Sequence, residues 1–306
     1  MKIKLLFMSI ALAAVGFMGV PQVVALPVAA DVMFVVDESG SMAGEHAFLA
    51  GAVTTLDAAL QGKGIGAGVT ANQYALVGFG TFQHTGGAEQ VPHKHPVGGA
   101  DWGTAADLSS ATGGLVVSGG TEDGWRGINF GLTQYSWRAG NIARQLILVT
   151  DEERNDTDAS LTFNGIKNGL KRNAVVLNAI VNAGFESDAN NTALGISYRD
   201  TAYVEDGSGG FTKEVGGNAV SGFGATIADY VNLALATNGA AWDLNQLRAG
   251  GNTALSFTTA FIDIKVEEIS TQPTNNPIPE PGTILLLGTG LIGMIGYGWR
   301  RRKFEP

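Results

Sequence analysis

The chain of 306 residues has no cysteine. Disulfides, thiolate-bound zinc and thiol nucleophiles are therefore excluded, and stability must come from packing or from a bound ion. Positive charge is scarce: 19 Lys and Arg stand against 28 Asp and Glu, a net charge of −9. A sequence-independent grip on nucleic acid needs clustered basic side chains, so no nucleic-acid partner is expected. The chain also lacks a P-loop, a nucleophile elbow and a Ser-His-Asp pattern, the usual marks of phosphoryl and acyl transfer. What it has is 45% hydrophobic residues, enough to bury a core in one large domain or two modest ones.

Both ends read as processing signals. Lys2 and Lys4 precede the apolar run LLFMSIALAAVGFMGV, and small residues follow at Val23 and Ala25. Residues 1–25 are thus expected to be a signal peptide cut after Ala25, since cutting after Ala30 would leave Asp31 with almost no lead into the first strand. At the other end, 17 residues from Thr283 to Trp299 carry no charge and are followed by Arg300, Arg301, Arg302 and Lys303. That run, 283–299, is expected to be a transmembrane helix, near the lower limit for a bilayer core of about 30 Å. A basic cluster stays cytoplasmic, so the body should lie outside the inner membrane. With Pro279, Glu280 and Pro281 in front, the tail at 279–306 resembles the PEP-CTERM sorting signal of Gram-negative bacteria. The resemblance implies processing by signal peptidase and an exosortase-type protease, transient contact with the inner membrane, and delivery to the cell surface or extracellular matrix. Gly288, Gly290 and Gly293 match G-x-G-x-x-G, but no βαβ unit can follow them and the match is accidental. Loss of both ends would make the exported body more acidic, about −14.

Between the signals, apolar strands alternate with helical periodicity. Residues 31–36, 73–79, 145–150 and 174–181 read as strands. Phe48, Leu49, Val53, Leu56 and Leu60 share one helical face, as do Trp125, Ile128, Leu132 and Tyr135, and then Phe163, Ile166 and Leu170. Ile227, Tyr230, Val231 and Ala234 mark a helix stopped by Asn238-Gly239, and Ala254, Phe257, Phe261 and Ile264 a closing one. Residues 184–222 are polar and glycine-rich and read as an insertion or surface hairpin; residues 270–282 are a proline-rich linker. The expected fold is α/β, a doubly wound, mostly parallel sheet with helices on both faces over residues 26–269.

In such a sheet ligands bind beyond the carboxyl ends of the strands. Two strands here run into aspartate: VMFVV into Asp37 and QLILVT into Asp151. If the strands are neighbours the carboxylates converge, and each raises the other's pKa unless a cation intervenes. Asp37, Ser39, Ser41 and Asp151 offer only oxygen, which suits a hard ion, Mg²⁺ with Mn²⁺ or Ca²⁺ as alternatives, better than zinc or copper.

At DVMFVVDESGSM the chain resembles a von Willebrand factor type A (VWA) domain. Asp37, Ser39 and Ser41 match its DxSxS, Thr121 in SGGTEDG its threonine, and Asp151 its later aspartate. The resemblance implies that these five residues form a metal-ion-dependent adhesion site, serines and threonine touching the ion and aspartates acting through water. One position would stay open for a partner's carboxylate, making the chain a non-enzymatic binding module for an acidic protein or polysaccharide. Two other readings compete: a matrix protein whose ion only stabilises the fold, and a haloacid-dehalogenase-like phosphatase with Asp37 as nucleophile. Such a phosphatase needs a second acid two residues on, where this chain has Ser39. Glu38, Glu122, Glu152 and Glu153 are expected at the rim. His93 and His95 in PHKHP, with His84 as the other nearby imidazole, read as a solvated loop rather than a metal site, and Trp102 and Trp242 as packing.

Overall fold

A computed structural model describes residues 26–84, 86 and 91–273. The expected signal peptide 1–25, the Pro279-Glu280-Pro281 motif, the apolar run 283–299 and the basic residues Arg300 to Lys303 lie outside the described residues. Among the described residues no helix is long and apolar enough to cross a membrane.

The first half of the body comprises β1 (Ala29–Asp37), α1 (His46–Gly62), β2 (Gln73–Phe79), β3 (His93–His95), α2 (Ala105–Ala111), α3 (Gly124–Gln134) and β4 (Ile142–Thr150). The second comprises α4 (Phe163–Arg172), β5 (Val176–Val181), β6 (Ala183–Glu186), β7 (Thr192–Ala193), β8 (Gly195–Ser197), β9 (Thr201–Glu205), β10 (Phe211–Val215) and β11 (Asn218–Gly222). It closes with α5 (Asn232–Ala236), β12 (Ala240–Asp243), α6 (Leu244–Arg248) and α7 (Gly251–Thr271).

All nine residues of β1 are buried, because β1 lies inside the sheet and is covered on both faces. Its side chains alternate between two cores, as period 2 requires. Val32, Phe34 and Val36 pack with Leu49, Val53 and Leu56 of α1 and Phe257 and Phe261 of α7. Met33 and Val35 face Trp125 and Ile128 of α3, Leu170 of α4 and Leu233 of α5. Helices thus cover both faces.

The main sheet has nine strands in the order β10-β9-β8-β12-β5-β4-β1-β2-β3. Strands β2, β1, β4, β5 and β12 are parallel, while β3 pairs antiparallel with β2 and β8, β9 and β10 continue antiparallel beyond β12. The sheet is mixed, which corrects the expectation of a mostly parallel one. The physical reason lies in 184–222: its strands are short, β8 buried but only three residues long and β9 and β10 partly exposed, without the long apolar run of a strand covered on both faces, yet they extend the edge. Residues of the same stretch form a separate three-stranded sheet, β11-β6-β7. Charged Lys213, exposed, and Glu214, half-buried, lie on the outermost strand and discourage further edge pairing.

From β1 the chain moves outward through β2 to β3, then returns to the other side of β1 for β4, β5 and β12. The order reverses between β1 and β4, which places their carboxyl ends side by side at the switch point of a doubly wound sheet. Helix α3 crosses this region on glycine. A Cβ at Gly127 would lie 2.6 Å from Val35 Cγ1 and 3.2 Å from Phe79 Cδ1, and one at Gly131 would lie 2.4 Å from Met33 Sδ. We expect Gly127→Leu to lower the unfolding free energy by roughly 1–3 kcal/mol, read as a lower urea midpoint. Gly131→Ala should cost less, because the Met33 thioether can swing aside; an unchanged midpoint for Gly127→Leu would contradict this packing.

Candidate functional site

β1 ends in Asp37 and β4 in Thr150, one residue before Asp151. The Asp37 side chain is fully buried. Its Oδ1 accepts from the Ser39 backbone N–H at 2.8 Å, and its Oδ2 accepts from the Thr150 hydroxyl at 2.7 Å. The Ser39 and Ser41 hydroxyls are 3.1 Å apart, and Ser41 donates to Asp151 Oδ1 at 2.9 Å. Four of the five expected ligands, three from one turn and Asp151 from 110 residues on, are therefore joined by a continuous chain of hydrogen bonds. These serines do not cap α1: its N-cap residue is Glu45, without a side-chain cap.

Thr121 is half-buried in the segment leading into α3. That segment is stitched to the Asp37 turn, since Gly40 N–H donates to the Gly119 carbonyl at 3.2 Å and Ser118 N–H to the Glu38 carbonyl at 2.9 Å. It is also clamped to the loop after β4, where Asn155 Oδ1 accepts from Glu122 N–H at 2.6 Å and Asn155 N–H donates to the Glu122 carbonyl at 2.7 Å. Glycine permits this closeness. Gly80 adopts φ +82°, and a Cβ there would meet Asp37 Oδ1 at 2.8 Å and Glu122 Cγ at 3.5 Å; no ordinary residue fits.

Glu122, expected at the rim, is fully buried, and neither carboxylate oxygen has a well-formed hydrogen-bond partner. Burial, with the charges of Glu152 and Asp151, pushes its pKa up to about 7 against the opposing Ser39 hydroxyl. Burial likewise pushes Asp37 up to about 8, with Glu122 adding to the shift and Thr150 and Ser39 opposing it. Two buried carboxyls beside two hydroxyls, one of them orphaned, form an all-oxygen donor set that fits a hard divalent cation.

A second cluster adjoins the first, and it corrects the reading of His93 and His95 as a solvated loop. Both lie on β3, an edge strand paired with β2, with His95 buried and His93 half-buried. Alternate positions on a strand face the same side, so His-Lys-His was the available signal. The other half of the cluster is Glu38, fully buried rather than at the rim. Its Oε2 lies 2.8 Å from His93 Nε2 and its Oε1 lies 3.2 Å from His95 Nε2, while Val116 N–H donates to Oε1 at 2.8 Å. Burial alone would raise this carboxyl, but His93 and His95 hold it down at about 2. The exposed His84 completes a Glu38, His84, His93, His95 group whose ligand atoms lie within 4.8 Å of one another, a cluster that could coordinate a metal ion.

The sequence reading also missed Arg248, at the end of α6. Its guanidinium donates to Asp151 Oδ2 at 2.8 Å, to the Ser41 carbonyl at 3.4 Å and to Glu45 Oε1. The signal was positional: Arg248 follows β12, another parallel strand whose carboxyl end faces the same edge. Trp102 is half-buried, edge-on to Tyr135 and Trp137; Trp242 is fully buried and stacked on Tyr203 at 5.3 Å.

A family model for the PEP-CTERM protein-sorting motif matches residues 277–303. The chain therefore carries the mark of proteins exported and sorted to the surface by an exosortase-type system. Comparison with curated protein sequences gives no match. Among solved structures, the chain is similar to proximal thread matrix protein 1 from the mussel byssus in two structures, one with a zinc-occupied MIDAS motif. Each is 20% identical, with TM-scores of 0.37 and 0.38, and each alignment covers 52% of this chain and 37% of the mussel chain.

The raised carboxyls set a pH dependence. Asp37 at about 8 and Glu122 at about 7 keep protons in the folded state that the unfolded chain releases at about pH 4. The folded state thus binds more protons across that window, so its stability falls as pH rises. Without divalent ions, the urea midpoint of the full chain is expected to drop between about pH 5 and pH 8, and Asp37→Asn to flatten that slope. A midpoint that rose with pH over this interval would show that the pair is compensated.

Proposed function

We propose that the chain is an exported, non-enzymatic binding module of VWA type, with a metal-ion-dependent adhesion site of Asp37, Ser39, Ser41, Thr121 and Asp151. Mg²⁺ is the preferred ion, with Mn²⁺ or Ca²⁺ as substitutes. The observation carrying this reading is the hydrogen-bonded run from Ser39 through Ser41 to Asp151, beside buried Asp37 and the orphaned Glu122 carboxylate. A hard cation at such donors supplies a Lewis-acidic point that binds a carboxylate. The chain's own residues do the rest. Thr150 and the Ser39 amide orient Asp37, Asn155 fixes the backbone at Glu122, and Arg248 holds Asp151. The ligand class is an acidic protein or polysaccharide at the cell surface or in the matrix, reached after signal-peptide removal and exosortase-type processing of the PEP-CTERM tail.

Support for a non-catalytic role comes from Ser39, whose hydroxyl occupies the position a dehalogenase-like phosphatase gives to its second acid and is paired to Ser41. A second reading, a matrix protein whose ion is structural, draws on Arg248: it spans Asp151 and Glu45 and so occupies one side of the site. The two readings separate on ligand capture.

Calorimetric titration of the full chain with Mg²⁺ is expected to give a single site that weakens at least about tenfold in Ser41→Ala, the loss of about 1.4 kcal/mol expected for one direct ligand. Capture of an acidic polysaccharide such as alginate on beads should require Mg²⁺ and vanish with chelator. Equal Mg²⁺ affinity in both proteins would remove the adhesion site. Mg²⁺ binding without capture of any acidic polymer tested would leave the structural-ion reading.

A further inference from the structure

With Glu38 ionised, the Glu38 cluster contains an arrangement of protons that its side chains do not complete by themselves. Glu38 Oε2 and His93 Nε2 are 2.8 Å apart, Glu38 Oε1 and His95 Nε2 are 3.2 Å apart, and the two Nε2 atoms are 3.1 Å apart. If both imidazoles are protonated at Nε2 to serve the carboxylate, two donors face each other at 3.1 Å. If one Nε2 is unprotonated to accept from the other, its lone pair faces a carboxylate oxygen instead. Glu38 Oε2 accordingly lacks a hydrogen-bond partner in spite of its burial. A cation at the centre removes the conflict, because the carboxylate and both imidazoles then present lone pairs to it.

The spacing suits such an ion. Metal–ligand bonds of about 2.0–2.1 Å at a tetrahedral zinc put neighbouring ligand atoms about 3.3 Å apart, close to the three separations observed. The ring of His84, centred 4.9 Å from His93 and 5.3 Å from His95, supplies the fourth donor. Space for the group comes from β2, where Gly78 has no side chain: a Cβ there would lie 2.0 Å from Glu38 Oε2 and 2.7 Å from His93 Nε2.

We propose that Glu38, His84, His93 and His95 form a second metal centre, separate from the Asp37 site, that takes a zinc-class divalent transition ion. Three imidazoles and one carboxylate favour zinc, cobalt, nickel or copper over magnesium or calcium. Four protein ligands close a tetrahedron and leave no open position, so the ion is structural. It joins side chains of three segments: the turn after β1, the edge strand β3, and the stretch carrying His84. The centre stands on its own donors and does not depend on the adhesion reading.

The test uses the full chain, stripped with chelator and dialysed against Zn²⁺ in a large excess of Mg²⁺, which saturates oxygen-only sites. One equivalent of zinc is expected by elemental analysis, with the intense visible bands of tetrahedral coordination when Co²⁺ replaces it. His95→Gln is expected to weaken zinc binding at least about 100-fold, since loss of an outer partner alone costs about 10–100-fold. His84→Gln changes an exposed side chain that the fold does not bury. It should keep the wild-type circular dichroism yet lose at least about tenfold in affinity. Undiminished zinc in folded His84→Gln, or a pale six-coordinate Co²⁺ spectrum in the wild type, would overturn the proposal.

Discussion

Burial of negative charge at the carboxyl ends of β1 and β4 governs this molecule. Asp37, Glu38, Glu122, Asp123 and Asp151 are all buried there, and uncompensated charge in a low dielectric is among the costliest features a fold can hold. The chain resolves most of it by familiar means. Asp123 is paired with Arg154 at 2.9 Å and bonded by Thr157 and Asp151 with Arg248, while Glu38 lies against His93 and His95 with its Oε2 left without a hydrogen-bond partner. Asp37 receives only a hydroxyl and an amide, and Glu122 receives no well-formed bond at all.

The contrast with the rest of the described residues gives this pair its meaning. Asp31, equally buried, holds Arg138. Lys265, buried among Trp242 and Phe261, reaches Glu268 and Asn178, although burial still brings its pKa down to about 8. Asp243 is buried without a cation but caps α6 through Asn245 N–H at 2.9 Å. Among the described residues, Glu122 is the one acid with both carboxylate oxygens buried and unpartnered, and it lies beside Asp37 at a topological switch point, where such sheets bind ligands.

Much of this was legible in the sequence because its strands are continuous apolar runs. β1, β2, β4 and β5 could be read from composition, and the strand-to-aspartate transitions at Asp37 and Asp151 followed from their ends. The helices α1, α3, α4 and α7 showed in their apolar spacing. What stayed hidden was whatever depends on side chains meeting across the edge. β3 is three residues long, too short for any periodicity to register, so its histidines looked like loop. Acids are usually solvated, so the sequence alone places Glu38 and Glu122 at the rim, and only the Gly78 and Gly80 gaps, which admit carboxylates into the sheet edge, reverse that. Strands β8 to β10 lack apolar runs because they cover one edge rather than fill the centre.

Asp37 and Glu38 are consecutive, and the chain sends them to different chemistry. The two carboxylates meet different partners at the turn that ends β1, Asp37 the Thr150 hydroxyl of β4 and the Ser39 amide of its own loop, Glu38 the imidazoles of β3. Their shared backbone is held from both flanks: Glu38 N–H donates to the Phe79 carbonyl at 2.8 Å, and the Glu38 carbonyl accepts from Ser118 N–H. A turn held in this way fixes the backbone from which both side chains start, so that each carboxylate meets its own partners with little main-chain freedom left to lose.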